Sequence, residues 1–410
     1  MTRWSVRFIS IAVFNIALLS AVVLPPSTYA GVILQLKHDP GDEAHFPWNW
    51  NFIKDHLGEI KAAGYTAILI SPHQRSCGFS IGYNPEDFTN FDSSHGSQRQ
   101  LAELISALHS GGLQIYADMV LNHMCAGHSF SYPPYFGQND FHHNGAITNY
   151  DDQNQVENGD FAGHEDLAQE SDYVRGKLFD FLVKTNQMGF DGYRWDAARH
   201  VPRWFWKDFI VNRVNSWGKY NFGEVPRNNL GELQSYVDTG MAVTDEMLYT
   251  AIYNNFKLGG NLAALDGAGY AVINGTKALT FVENHDKASP PNRTLAYAFL
   301  SAYPGYPLFF NVFLNDSAIN NLIWIHEHLA EGDYINRYKD QNTLIFERAD
   351  HLLAAINQSD EWFNKWVQTS WKNTKLHDFT FHVTDKTSNN DGYVEVWIPP
   401  MSYVMLAPRE

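Results

Sequence analysis

GYRWDAARH (192–200), FGEV (222–225) and FVENHD (281–286) share one feature: in each, a short apolar or aromatic run leads to an acid, namely Asp196, Glu224 and Asp286. Burying a carboxylate is costly, so acids placed where apolar strands run out mark the point at which those strands leave a core. Arg194, His200 and His285 stand beside them as sources of counter-charge and hydrogen bonds. One polar site gathered from the same end of several parallel strands is the arrangement of a (β/α)8 TIM barrel, whose catalytic face lies at the C-terminal strand ends. A single acid at a strand end is equally well explained as a helix cap or loop partner. The repetition is what points to function.

Outward from these segments, strand-like runs recur with helix-like segments between them, the pattern of βα units around a parallel sheet. Eight runs qualify: Val32–Leu36, Ala67–Ser71, Gln114–Leu121, Gly192–Asp196, Tyr220–Val225, Met241–Asp245, Ala278–Val282 and Leu308–Val312. Helices are expected over Asn51–Ala63, stopped by Gly64, and over Ser97–His109, stopped by Gly111 and Gly112. His123–Glu165 breaks the rhythm: it is rich in Asn, Gly, His, Asp and Pro and shows no convincing helix. A loop of that length in a compact domain is usually functional. The helix Ser171–Met188 follows it. From Tyr334 the pattern changes to short alternating segments, Thr343–Glu347, Leu352–Ile356, Phe379–His382, Tyr393–Ile398 and Tyr403–Ala407, which predict a C-terminal antiparallel β domain. The expected organisation is a leader over 1–30, a barrel over 31–122 and 166–333, a short loop-rich insertion over 123–165, and the β domain over 334–410.

The leader has signal-peptide architecture: Arg3 and Arg7 precede the apolar run Phe8–Leu24, and two prolines and a small residue, Ala30, follow. A membrane anchor is the competing reading, but Asn15 and the prolines weigh against it. The expectation is a secreted or periplasmic monomer with no membrane association after cleavage. With a formal charge of −16, a nucleic-acid partner is excluded. An aromatic content of 15% alongside 18% charged residues suits a neutral ligand that presents flat faces, such as a sugar. Cys77 and Cys125 are the two cysteines; in an exported chain an even pair favours one disulfide, with two buried free thiols as the alternative. The histidines form no H-E-x-x-H pattern, so a catalytic zinc is not expected.

DMVLNH (118–123), GYRWDAARH, FGEV and FVENHD, in this order and at the ends of the third, fourth, fifth and seventh strands, resemble the conserved segments of the α-amylase family of retaining glycoside hydrolases, glycoside hydrolase family 13. GYNPEDF (82–88) resembles that family's tyrosine loop, GDFAGHEDLAQESDYVRGKLFDF (159–181) its inter-domain segment and following helix, and YVEVWIPPMSYVMLAP (393–408) its C-terminal domain. The resemblance implies that Asp196 is the nucleophile, Glu224 the general acid/base and Asp286 the carboxylate that orients and strains the sugar. Chemistry stands beside that assignment. Cleaving an acetal with retention needs a proton on the leaving oxygen and a carboxylate that forms a covalent glycosyl-enzyme. The acid must be protonated at working pH, which an apolar setting or nearby anions achieve. Arg194 projects to the same strand face as Asp196 and is expected to hold that carboxylate ionised and oriented.

The resemblance further implies that Tyr83, His123 and His285 contact the cleaved sugar. It also implies a structural Ca2+, held by the side chains of Asn122 and Asp166 and by main-chain oxygens near Asp160 and His200, ligands suited to Ca2+ rather than Zn2+. Trp48, Trp50 and Trp195 are further candidates for facing sugars. Three departures stand out: a short insertion, FFNVFLND (309–316) without the family's usual sequence, and Lys287-Ala288 after Asp286. The expected activity is an α-amylase hydrolysing α-1,4 links of starch, glycogen or maltooligosaccharides. The alternatives are exo-acting release or glucosyl transfer at the same site and, more remotely, a non-catalytic carbohydrate-binding protein.

Overall fold

The computed structural model describes residues 31–78, 80–310 and 314–409. The leader expected over 1–30 therefore lies outside the described residues, as do Asn311 and Val312, the end of the run expected as the eighth strand, and Phe313.

Eight strands close into a parallel barrel: β1 (Ile33–Gln35), β2 (Ala67–Leu69), β3 (Gln114–Val120), β4 (Gly192–Asp196), β5 (Tyr220–Gly223), β6 (Ala242–Thr244), β7 (Ala278–Phe281) and β8 (Tyr306–Phe310). Neighbours in the ring are neighbours in sequence, and β1 pairs with β8 to close it. Each strand is buried on both faces, which is why it reads as an unbroken apolar run. Alternate residues go inside and outside. Ile33, Leu69, Tyr116, Phe222, Leu279 and Tyr306 form an inner cluster, whereas Leu34, Ile68, Ile115, Tyr193 and Trp195 join the outer core beneath the helices. On β4 this alternation sends Arg194 and Asp196 inward.

The expected helix over Asn51–Ala63 is two helices, α1 (Trp50–Asp55) and α2 (Leu57–Ala62). The break falls at His56, whose ring Nδ1 turns back to the Phe52 carbonyl at 2.8 Å. The next helix, α3 (Gln98–Gly111), starts at a Ser97–Gln100 capping box and ends at Gly112 in the left-handed conformation. The insertion is not free of helix: α4 (Gln153–Asn158) forms there, its first turn capped by Asp152. Then α5 (Asp172–Met188) returns the chain to the barrel.

The C-terminal domain places β9 (Tyr334–Lys339), β10 (Thr343–Arg348), β11 (Leu352–Asn357), β12 (Phe363–Gln368), β13 (Lys375–Asp378), β14 (Lys386–Thr387), β15 (Tyr393–Ile398) and β16 (Ser402–Pro408) in two antiparallel sheets. One has the order β9-β10-β11-β16-β13-β14; the other is the ribbon β12-β15. Phe379–His382, expected as a strand, is a turn. The Asp378 carboxylate accepts from the amides of Thr380, His382 and Val383 and ends β13 there.

Candidate active site

Asp118, on β3 and fully buried, organises the inward-facing polar residues. One of its oxygens accepts from Arg194 Nη1 at 2.6 Å; the other accepts from Lys37 Nζ at 2.9 Å and from the Tyr83 hydroxyl at 2.6 Å. Lys37 also reaches the Tyr83 hydroxyl and lies 4.6 Å from that ring's centre. Burial alone would raise the Asp118 pKa, but the charges of Arg194 and Lys37 together with the lysine and tyrosine hydrogen bonds outweigh it and keep the carboxylate below its ordinary value.

Arg194 then spans the acids. Its Nη1 donates to Asp196 Oδ1 at 2.9 Å, and its Nη2 lies 3.0 Å from Glu224 Oε2. Glu224 Oε2 also accepts from the Ala197 amide at 3.0 Å. Ala197 adopts φ +46°, a left-handed conformation unusual for a residue with a Cβ, and this turn aims its N–H back at Glu224. Gly223 precedes Glu224 because a Cβ there would come within 2.6 Å of Met241 Sδ and 2.9 Å of Ala198 Cβ. Gly82 does the same service for the tyrosine loop, with φ +107° and the Pro72 carbonyl 2.8 Å from a Cβ position.

Arg194 holds and orients Asp196 as expected, but it does so against the burial of that carboxyl. Burial pushes the Asp196 carboxyl up to about 8; Arg194 opposes this, while Glu224 and Asp118 add to it. One guanidinium shared by three carboxylates cannot neutralise each of them.

Asp286 is half-exposed, with Oδ2 3.1 Å from His285 Nε2. His285 is held from the other side by the Gln35 amide at 3.1 Å and lies parallel to the Tyr83 ring at 5.1 Å between centres. Burial keeps this imidazole neutral, with Lys37 and Arg194 reinforcing it. His123 is buried and its Nε2 is 3.0 Å from the Tyr83 carbonyl, so it fastens the tyrosine loop from behind. Burial pushes its pKa down to about 3. Trp195 packs behind the site, its indole N–H donating to Asn221 at 3.1 Å, and Trp50 is fully buried. Trp48 is partly buried and packs on Phe52 and His56. Lys287, one of the departures, pairs with buried Glu246 at 3.3 Å. Gln35, Lys37 and Asp118 were not singled out as site residues from sequence; the available signal was a lysine two residues past an apolar strand and an acid within another.

At the junction of barrel and insertion, one terminal atom of the Asn122 amide lies 2.8 Å from the His200 carbonyl and 3.3 Å from Asp166 Oδ1. With nitrogen on that side, both contacts are hydrogen bonds. With oxygen there, three oxygens converge with no proton between them, the donor set of a hard cation. Asp166 is buried, its pKa pushed up to about 7 by that burial, and its other oxygen meets His142 Nδ1 at 2.6 Å. Asp160 adjoins through its side chain, which accepts from the Asp166 amide at 3.3 Å, while its carbonyl accepts from Ile147. Cys77 and Cys125 form a disulfide with a Cα–Cα distance of 6.2 Å, tying the tyrosine loop to the start of the insertion. Among the described residues, the one group of His, Cys and acidic side chains close enough to share an ion is Cys77, Cys125 and His128, and its sulfurs are bonded to each other.

Comparison with known proteins matches residues 42–238 to the family model "Alpha amylase, catalytic domain" and residues 352–406 to "Alpha-amylase C-terminal". An α-amylase of Aeromonas hydrophila is 32% identical over 265 residues, covering 59% of this chain and 58% of that protein. One from Hypothenemus hampei is 28% identical, covering 63% and 59%. The chain thus aligns with less than two thirds of the length of these relatives. Among solved structures, the α-amylase of Geobacillus thermoleovorans complexed with acarbose superposes with a TM-score of 0.82 at 24% identity, covering 93% of this chain and 98% of that one. A cyclomaltodextrin glucanotransferase with a three-domain ABC distribution gives 0.80 at 22%, covering 93% and 100%. The catalytic and C-terminal models fall in sequence order, one beginning just after β1 and the other at β11, and the same barrel-plus-sheet architecture recurs in the solved relatives. The chain belongs to the α-amylase family, glycoside hydrolase family 13.

Proposed function

We propose that the protein hydrolyses α-1,4-glucosidic bonds of starch, glycogen or maltooligosaccharides with retention of configuration. The observation that carries this is the pair Asp196 and Glu224, set on the two nitrogens of one buried guanidinium at the ends of adjacent strands. In the active protonation state the pair holds one proton. Glu224 delivers it to the leaving oxygen while Asp196 attacks the anomeric carbon; Glu224 then takes a proton from the water that releases the sugar. Tyr83, seated on Asp118 and stacked with His285, offers a flat face for the ring, and Asp286 receives the sugar hydroxyls from the open side.

Asn122, Asp166 and the His200 carbonyl are the residues that would hold Ca2+, with Asp160 beside them. The ion supplies charge that fastens the insertion to the barrel. Chelation should lower the melting temperature, and elemental analysis should find calcium; an unchanged melt with no bound calcium removes this part of the proposal. The reading includes export of a monomer.

Glucosyl transfer is the second reading, favoured by the glucanotransferase among the structural neighbours. A time course of products from glycogen and labelled maltoheptaose separates the two. Accumulation of shorter α-configured sugars is expected. Net formation of longer or cyclic chains would overturn hydrolysis, and β-configured first products would overturn retention.

A further inference from the structure

The ribbon β12-β15 carries a row of exposed aromatic rings that the catalytic site does not use. Its inner face packs Val367, Val394, Val396 and Ile398 into the domain core. Its outer face carries Trp366, 55% exposed, with Tyr393 at 40% and Trp397 at 36%; Trp362, at 57%, continues the row just before β12. The register explains their order. Asn364 faces Trp397, Trp366 faces Glu395, and Gln368 faces Tyr393, so each of these three rings has a polar side chain directly across and its neighbouring rings on the diagonals. Such diagonal neighbours lie about 7–8 Å apart. The result is a zigzag of four rings running along the ribbon. Between them the Asn364 amide donates to Glu395 at 3.3 Å, which orders part of the polar edge.

Leaving four large rings in water is unfavourable, and a contiguous aromatic face on a soluble domain marks a binding surface. Charge narrows the ligand. Among the described residues of the two strands the one cation is Lys365, which turns away and sits 4.7 Å over the Tyr338 ring. An anionic polymer would find no counter-charge here and would meet a chain of net charge −16. What remains is a neutral ligand with apolar C–H faces for the rings and hydroxyls for the amides and carboxylate. Repeated rings in a row suit a repeating ligand.

We infer that the outer face of the β12-β15 ribbon is a second glucan-binding site, taking the same neutral polysaccharide as the cleft; its α-glucan identity rests on the proposed activity. A polymer held at both places converts the second encounter into an intramolecular one. The platform therefore acts on polymers and is silent on short substrates.

The test uses the full chain with Trp366→Ala/Trp397→Ala and, independently, Trp362→Ala/Tyr393→Ala, all at exposed positions, with melting curves to check folding. Migration is measured in native gels containing amylopectin, glycogen or hydroxyethylcellulose, alongside turnover of a short chromogenic maltooligosaccharide. The expected result is at least a tenfold loss of retardation by amylopectin and glycogen with short-substrate turnover unchanged. Unchanged retardation by both variants would overturn the proposal. So would a shift from dimer to monomer, or loss of binding to zwitterionic vesicles, with glucan retardation intact. A wild-type chain retarded through these rings but inactive on every α-glucan would sink the proposed activity alone.

Discussion

The Arg194 fork makes Asp196 a costly residue. Its pKa is raised in the fold from an ordinary value of 3.8, so the folded state favours the protonated form, and stability falls as pH rises between about 4 and 8. Asp196→Asn should cut turnover roughly 10³-fold or more. It should also melt higher than the parent at pH 7–8, with the gap closing toward pH 4. A lower melting temperature across that range would contradict the burial argument. Lys37 is the second cation of the site and the one held against Tyr83. Lys37→Met leaves Asp118 with one charged partner, and breaking a buried pair costs about 3–5 kcal/mol. Reduced kcat together with a lower melting temperature is expected; an unchanged melt would show that the pair adds no stability. The three acids were legible because the arrangement repeats, an apolar run leading to an acid in three segments of the chain. Lys37 and Asp118 were not, since their meaning lies in a contact across 81 residues.

At the scale of elements, the eight strands were readable because strands buried on both faces must be apolar throughout. Helix α4 escaped because it spans six residues and buries one, Val156, so it carries no periodicity. Phe379–His382 misled for the opposite reason: it alternates like a strand, yet one carboxylate collects its amides into a turn. The disulfide belongs to this scale too. It closes a loop of 48 residues around β3, and in a chain-entropy account such a closure stabilises by about 4 kcal/mol. Cys77→Ser/Cys125→Ser, or reductant on the parent chain, should lower the melting temperature by several degrees. Equal melts with and without reductant would show that the closure contributes nothing.

Across the whole molecule, one hydrophobic cluster runs from beneath the barrel helices into one face of the sheet domain, whose other face has a cluster of its own. Phe346 on β10 lies against Phe299, Tyr303 and Tyr334, and Leu344, Leu352, Ala354, Ile356 and Met405 join the same cluster as the barrel helices. The boundary near Tyr334 was visible as a change of periodicity; the continuity was hidden, because apolar residues on two domains look alike whether or not they meet. Phe346→Ala should cost about 3–5 kcal/mol. Calorimetry should show one shifted transition for the entire chain. Two separate transitions, with only the smaller moved, would mean that the domains melt independently.

The same view gives the Gln35–His285 contact a further meaning. Its partners are 250 residues apart, one ending the first barrel strand and the other following the seventh. Tyr83 meets His285 over a comparable stretch of chain. The cleft thus has no partial form: its floor exists only once the two ends of the ring have found each other, a late, high-contact-order event. In a refolding experiment, secondary structure should return first. Turnover should return only with the step that joins the seam, which makes catalysis itself the reporter of ring closure.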